Sequence, residues 1–202
     1  MSEKLEKRIW LPREELRVVE RDGNTTIEGL AVPYGQLSED LGGFRERVAP
    51  DAFGDSIRSD GSHDLIGDVE HDRRMILGRS SKGTLDFRSE ADGLFATITV
   101  PQTTRGKDVV EDVRNGNLDG MSVAWAWDGV KDDWTVDGDE TIREIQAAKL
   151  RAVTLTSSPA YRQTVDSLVM RSLEEFQQTQ SEDWREENDK LRRRLALARM
   201  LD

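Results

Sequence analysis

The sequence predicts a mixed, mainly antiparallel β fold: a closed or nearly closed barrel with one central helix and a C-terminal helical extension. Three observations carry this. Eight or so short segments alternate apolar and polar residues with the period of two of a β-strand. Clusters of Asp, Gly and Asn separate them at hairpin spacing. From about Gln163 onward glycine and proline cease, and apolar residues fall on one helical face. Closure follows from the strand count, because an open sheet would leave edges exposed to other chains. The expected organisation is a charged lead-in over residues 1–15, a β-barrel domain over 16–162 and an amphipathic helical tail over 163–202.

The elements follow in order. Ile9, Trp10 and Leu11 are the only apolar cluster of the lead-in. Leu16 to Val19 begins a strand, Asp22-Gly23-Asn24 turns the chain, and Thr25 to Val32 returns as its partner. Pro33, Gly35 and Ser38 to Gly43 form a loop. Phe44 to Val48 alternates as a short strand, and Ala49-Pro50-Asp51-Ala52-Phe53 opens a short helix. Arg58 to His63 is a polar loop, and Leu65 to Val69 is a strand running into Glu70-His71-Asp72. After Ile76 to Arg79 come two strands, Thr84 to Arg88 and Leu94 to Val100, joined through Ala91-Asp92-Gly93. Val109, Val110 and Val113 place a helix over Thr104 to Asn115, and Asn115-Gly116-Asn117 stops it. A strand beginning at Met121, the segment Thr141 to Ala147 and the strand Leu150 to Thr156 complete the domain. In the tail, Leu191, Leu195, Ala198 and Leu201 share one face, which suits packing against a partner surface.

Composition narrows the function. A net charge of −11 argues against a general nucleic-acid-binding role, which needs a basic surface. The chain has no cysteine, so disulfides, thiol catalysis and cysteine-ligated metals are excluded. No apolar run approaches the roughly 20 residues of a membrane span, and the N-terminus lacks the apolar region of a signal peptide. A soluble protein made in a cytoplasm is expected, with no nucleic-acid or membrane partner and no cofactor.

The chemistry centres on Asp119-Gly120-Met121-Ser122-Val123-Ala124-Trp125. Met121, Val123 and Trp125 make one large apolar face, while Ser122, Ala124 and Ala126 make a small one with a single hydroxyl. Such a serine has room beside it for a substrate carbonyl, although a small residue also suits close packing. Only two histidines exist. His71 ends a strand, where an imidazole can serve as a general base or lie among its acidic neighbours. His63 lies in a polar loop and reads as solvated. Zinc would need carboxylate help, and no HExxH pattern is present. The acids from Asp133 to Glu140 do not match an EF-hand loop and read as a solvated hairpin.

Four segments together carry a resemblance. Gly42-Gly43-Phe44-Arg45-Glu46-Arg47-Val48-Ala49-Pro50-Asp51-Ala52-Phe53 resembles the opening signature of the HK97-type tailed-phage prohead (capsid maturation) serine proteases. So do Glu70-His71-Asp72 followed by Leu77-Gly78-Arg79, the Asp119 to Ser122 strand, and Leu155 to Tyr161 ending in Pro159-Ala160-Tyr161. They span roughly residues 25 to 165 in register. The resemblance implies an antiparallel β-barrel surrounded by helices, similar to herpesvirus assemblin. It also implies a serine endopeptidase with Ser122 as nucleophile and His71 as general base, working through an acyl-enzyme. Backbone N–H groups would stabilise the oxyanion, with Arg162 as a candidate donor. The implied partners are the major capsid protein, a scaffolding protein and the chain itself, through self-cleavage and a homodimer. The implied location is the host cytoplasm, inside the assembling prohead.

One position departs from the family pattern. The strand before Pro-Ala-Tyr usually offers a glutamate that orients the histidine, and this chain has Ala152 there. Loss of such an acid costs about four decades of rate in well-studied serine proteases. Glu144, Thr154 or His63 could take over the orienting role. A weak dyad could suffice at the high local concentration inside a shell. The alternative is a catalytically weak or inactive scaffold or assembly protein that retains the protease fold. With an ordinary histidine as base, activity would rise with pH through about 6–7.

Overall fold

The computed structural model describes residues 5–8, 16–57, 63–157 and 169–183. The chain divides into two compact units, Met1–Thr164 and Val165–Asp202. In the second, residues 169–183 form a helix on which Val169 and Leu173, four apart, are buried. Arg162, the Pro159-Ala160-Tyr161 segment and the tail leucines from Leu191 lie outside the described residues. So do Ile9, Trp10 and Leu11. Among the described residues no helix is long and apolar enough to cross a membrane.

The first unit is built from two sheets. Strands β2 (Arg17–Arg21), β3 (Asn24–Pro33), β8 (Gly93–Thr99) and β7 (Leu85–Ser89) form an antiparallel four-stranded sheet in the order β2-β3-β8-β7. Its hairpins lie where the turn residues place them. At the β2–β3 turn Asp22 and Gly23 both take positive φ, 50° and 77°, as a two-residue hairpin turn of the favoured hand requires. The other sheet runs β1-β9-β10-β5-β6, from β1 (Leu5–Arg8), β9 (Gly120–Asp137), β10 (Glu140–Thr156), β5 (Ile66–Val69) and β6 (Asp72–Arg79). Strand β4 (Arg45–Val48) is its sixth member and pairs with β10.

Long β10 organises this second sheet. One edge runs antiparallel to β9 along nearly its whole length. The other edge is shared: residues 142–145 take β4 in parallel, and residues 152–155 take β5 in parallel. Register shifts between Ile145 and Ala152 bend the strand between these two partners. The expected barrel surrounded by helices is therefore replaced by a mixed, sheet-rich fold. Among the described residues the pairings form two sheets without closing one ring, and parallel pairs enter that no hairpin count anticipates. The two segments expected over Thr141 to Thr156 are the single strand β10.

The apolar faces of both sheets share one core. Ile27, Leu94 and Ile98 come from the four-stranded sheet; Val123, Trp125, Leu150, Val153 and Leu155 come from the other. Helix α1 (Thr104–Arg114) adds Val109, Val110 and Val113. Thr103 caps α1 by accepting the Gly106 N–H at 3.1 Å. The short helix expected from Ala49 to Phe53 is instead a succession of turns. Asp51 at φ 59° breaks any helical run, and Gly54 N–H reaches back to the Asp51 carbonyl. At Gly78 a Cβ would stand 2.4 Å from the Thr84 carbonyl oxygen, so β6 meets the following turn only because that side chain is absent.

A buried charge cluster joins four strands of the larger sheet. Arg8 binds Glu46 at 2.8 Å and Glu6 at 2.7 Å. Arg143 binds Glu6 and Glu46 at 2.9 Å and Asp132 at 2.6 Å. The guanidinium of Arg8 lies 5.4 Å from the Trp125 ring centroid, and that of Arg143 lies 5.4 Å from Trp127. Each buried charge here has opposite charges within hydrogen-bonding distance, the condition under which burial is tolerated.

Candidate active site

Register alone brings three polar side chains into a row. Thr154 of β10 stands opposite Ser122 of β9 on one side and Asp68 of β5 on the other. Strand alternation then puts their side chains on one face, away from the core face of Val123 and Val153. All three are buried: Ser122 is 5% exposed, Asp68 1% and Thr154 0%.

The hairpin from β5 to β6 folds an imidazole over this row. Val69 pairs with Asp72, so Glu70 and His71 are its two turn residues, at φ 50° and 55°. Non-glycine residues adopt this geometry at a cost of order 1–3 kcal/mol each, so the surrounding structure must enforce it. Glu70 does so. Its N–H donates to the Leu155 carbonyl at 2.9 Å, and its carboxylate accepts the Ser157 N–H and the Thr156 hydroxyl. The turn is thereby fastened to the end of β10, two residues past Thr154.

His71 Nε2 lies 3.1 Å from Ser122 Oγ, and Nδ1 lies 3.0 Å from Thr154 Oγ1. Thr154 in turn donates its hydroxyl proton to Asp68 Oδ1. A threonine hydroxyl has one proton to give, so with Asp68 ionised its oxygen accepts the proton on Nδ1. That leaves Nε2 bare and facing the serine, the tautomer a general base needs. Burial pushes the Asp68 carboxyl up, opposed by the Thr154 hydrogen bond and the charges of Arg73 and Lys7. Burial also lowers His71 to about 4, helped by the cation of Lys7 and opposed by Glu70. At neutral pH the imidazole is uncharged and able to take a proton.

Ser122 has a second partner. Its hydroxyl oxygen also lies 3.0 Å from the backbone carbonyl of Arg8 on β1, a second acceptor for its one proton.

Of the residues expected from sequence, Ser122, His71 and Thr154 meet here. Glu144 does not: its carboxylate binds Arg47 at 2.6 Å and Gln146 at 2.6 Å. His63 gives its backbone carbonyl to the Ser80 hydroxyl at 3.1 Å, and both ring nitrogens of His71 are already taken by other residues. Ala152 faces the same side as Thr154, two residues further from the His71 turn, opposite Ala124 and Ile66. Asp68 and the Arg8 carbonyl were not expected. Nothing in Ile66-Gly67-Asp68-Val69 marks that aspartate, because its place opposite Thr154 follows from a parallel pairing. Among the described residues, no group of three or more His, Asp or Glu side chains is placed to hold a metal ion.

A family model described as Caudovirus prohead serine protease matches residues 14–179 of the chain. Among solved structures, the bacteriophage T4 capsid assembly protease, gp21, is similar in fold, with a TM-score of 0.51 and 14% identity. That likeness covers 77% of this chain and 98% of the other. No curated protein matches the sequence.

Proposed function

Since the chain belongs to the caudovirus prohead serine protease family, we propose that it is an endopeptidase acting through Ser122 as nucleophile and His71 as general base. Thr154 is the positioning residue in place of the family's acid, with Asp68 behind it. The observation that carries this reading is the unbroken hydrogen-bonded series Ser122–His71–Thr154–Asp68.

In the first step Nε2 takes the Ser122 proton as Oγ bonds to the peptide carbonyl carbon. The imidazolium then gives that proton to the departing amine nitrogen, leaving an acyl-serine. Water, deprotonated by the same nitrogen, releases the acyl group. While His71 is cationic, its Nδ1–H stays bonded to Thr154, and Asp68 compensates the charge from behind.

The substrates under this reading are segments of the major capsid protein and scaffolding protein, together with the chain itself, cut inside the assembling prohead. The tail over 163–202 serves as a docking arm. The non-enzymatic alternative draws on Ala152 alone, and Thr154 with Asp68 supplies next to it what that alanine lacks. Co-expression with the capsid protein, read by mass spectrometry, tests the function. Defined fragments should appear with the native chain and vanish with Ser122→Ala. Fragments unchanged by that substitution would overturn it.

A further inference from the structure

Strand β1 reaches the chemistry directly, through the Arg8 carbonyl beside Ser122. It is the edge strand of the larger sheet, antiparallel to β9, with Arg8 opposite Val123 and Lys7 opposite Ala124. It ends beside the serine and precedes residue 14, where the family match begins. The position is the one in which an extended peptide adds to a sheet edge, its backbone pairing with the edge strand and alternate side chains entering pockets. Glu6 and Arg8 are buried in the same alternating sense, at 2% and 1% exposed, while Lys7 between them is exposed.

The proton of Ser122 has two acceptors at nearly equal distance, the Arg8 carbonyl at 3.0 Å and His71 Nε2 at 3.1 Å. It can serve only one. When it is given to the carbonyl, a bond between Nε2 and Oγ requires Nε2 to donate. An imidazole carrying its proton on Nε2 cannot deprotonate the serine. In that arrangement Nδ1 accepts from Thr154, whose oxygen accepts from a protonated Asp68, so the whole series is reversed without loss of a hydrogen bond.

Resting on the protease reading above, we propose that β1 is an intramolecular occupant of the substrate track. The chain's own segment lies on the β9 edge where a peptide substrate would pair, its Arg8 carbonyl engages Ser122, and turnover requires β1 to leave. Departure does not strand the charges beneath it. Arg143 keeps Glu46 at 2.9 Å and Asp132 at 2.6 Å when Glu6 and Arg8 withdraw to water.

The test uses the full chain and a fluorophosphonate probe, which reads the reactivity of Ser122 without knowledge of the cleavage sequence. Because the native chain has no cysteine, Lys7→Cys with Ala124→Cys gives a single disulfide that staples β1 to β9. The stapled form should label at least about tenfold more slowly than its reduced form, with dithiothreitol restoring the rate. In the opposite sense, Lys7→Pro removes a ladder N–H from β1 while leaving Glu6 and Arg8 in the chain. Provided circular dichroism shows it folded, it should label several-fold faster than the native chain. A β1 that only supports the fold gives the reverse sign. Equal labelling of stapled and reduced forms, or a folded Lys7→Pro chain no faster than native, overturns the strap while leaving the nucleophile in place. If no form is labelled, Lys7→Pro included, the serine-protease reading falls first and takes this proposal with it.

Discussion

Under the protease reading, His71 and Thr154 are where single side chains decide the chemistry. Burial is the largest cause holding the imidazole at about 4, with Lys7 adding to it. With β1 in place, Ser122 reactivity should therefore climb through about pH 4 and be level from 6 to 8, instead of rising between 6 and 7 as an unperturbed histidine would dictate. Labelling rates across that range check this. The same shift has a folding consequence. A histidine with a folded pKa near 4 binds a proton more readily unfolded, where its pKa is about 6.5. Its contribution to stability is whole above the unfolded value and is lost as pH falls from there through 4. Thr154→Val tests the link behind the imidazole. It deprives both Nδ1 and Asp68 of their partner, so kcat/KM should fall by about 10²–10⁴, and unfolding free energy by about 1–3 kcal/mol. Thr154→Ser keeps the hydroxyl and should recover most of both. At this scale the sequence was partly legible. Ser122 and His71 stand in recognisable local patterns, and Thr154 was one of three candidates for the orienting role. Asp68 was invisible because its meaning comes from the strand it lies beside.

Strands and turns show the same division between local and non-local information. The β2–β3 and β7–β8 hairpins and helix α1 were readable, because turn residues and helical spacing act within a few positions. β1 was not, since Leu5-Glu6-Lys7-Arg8 has three charges in four residues and looks solvated. It is a strand because Glu6 and Arg8 meet Arg143 and Glu46 across the sheet. The parallel pairing of β4 with β10 was equally hidden, as residues 45–48 and 142–145 are nearly a hundred positions apart. Glu46 shows how strongly these elements depend on one another. Its carboxylate binds both Arg8 and Arg143 and is fully buried. Glu46→Ala should destabilise the protein by about 3–5 kcal/mol, since it leaves two buried cations sharing fewer acids. Urea unfolding followed by tryptophan fluorescence measures this, with Trp125 and Trp127 close to the cluster. A loss below 1 kcal/mol would mean that water already compensates those charges.

For the molecule as a whole, counting strands predicted closure, and the long β10 defeats that count by dividing one edge between β4 and β5. The candidate site and the C-terminal tail also fall in different units at this scale. Ser122, His71, Thr154 and Asp68 all belong to the unit Met1–Thr164, while Val165–Asp202 is compact on its own. The family match covers residues 14–179 and stops short of the last residues of the chain. Their sequence supports a docking role. Residues 190–199 contain one lysine, four arginines and no acid, in a chain whose net charge is −11. Leu191, Leu195 and Ala198 recur there at helical spacing. A basic amphipathic segment suits an acidic, partly apolar protein surface, and its attraction weakens as salt rises. Truncation after Asp183 should therefore leave fluorophosphonate labelling of Ser122 within about twofold of the full chain, because no member of the site is removed. The same truncation should remove the protease from proheads purified after co-expression with capsid and scaffolding proteins, as read by immunoblot against capsid protein. Replacing Arg192, Arg193 and Arg194 with glutamine should reproduce that loss if charge carries the docking. A truncated chain packaged at the native ratio would assign delivery to the protease unit itself.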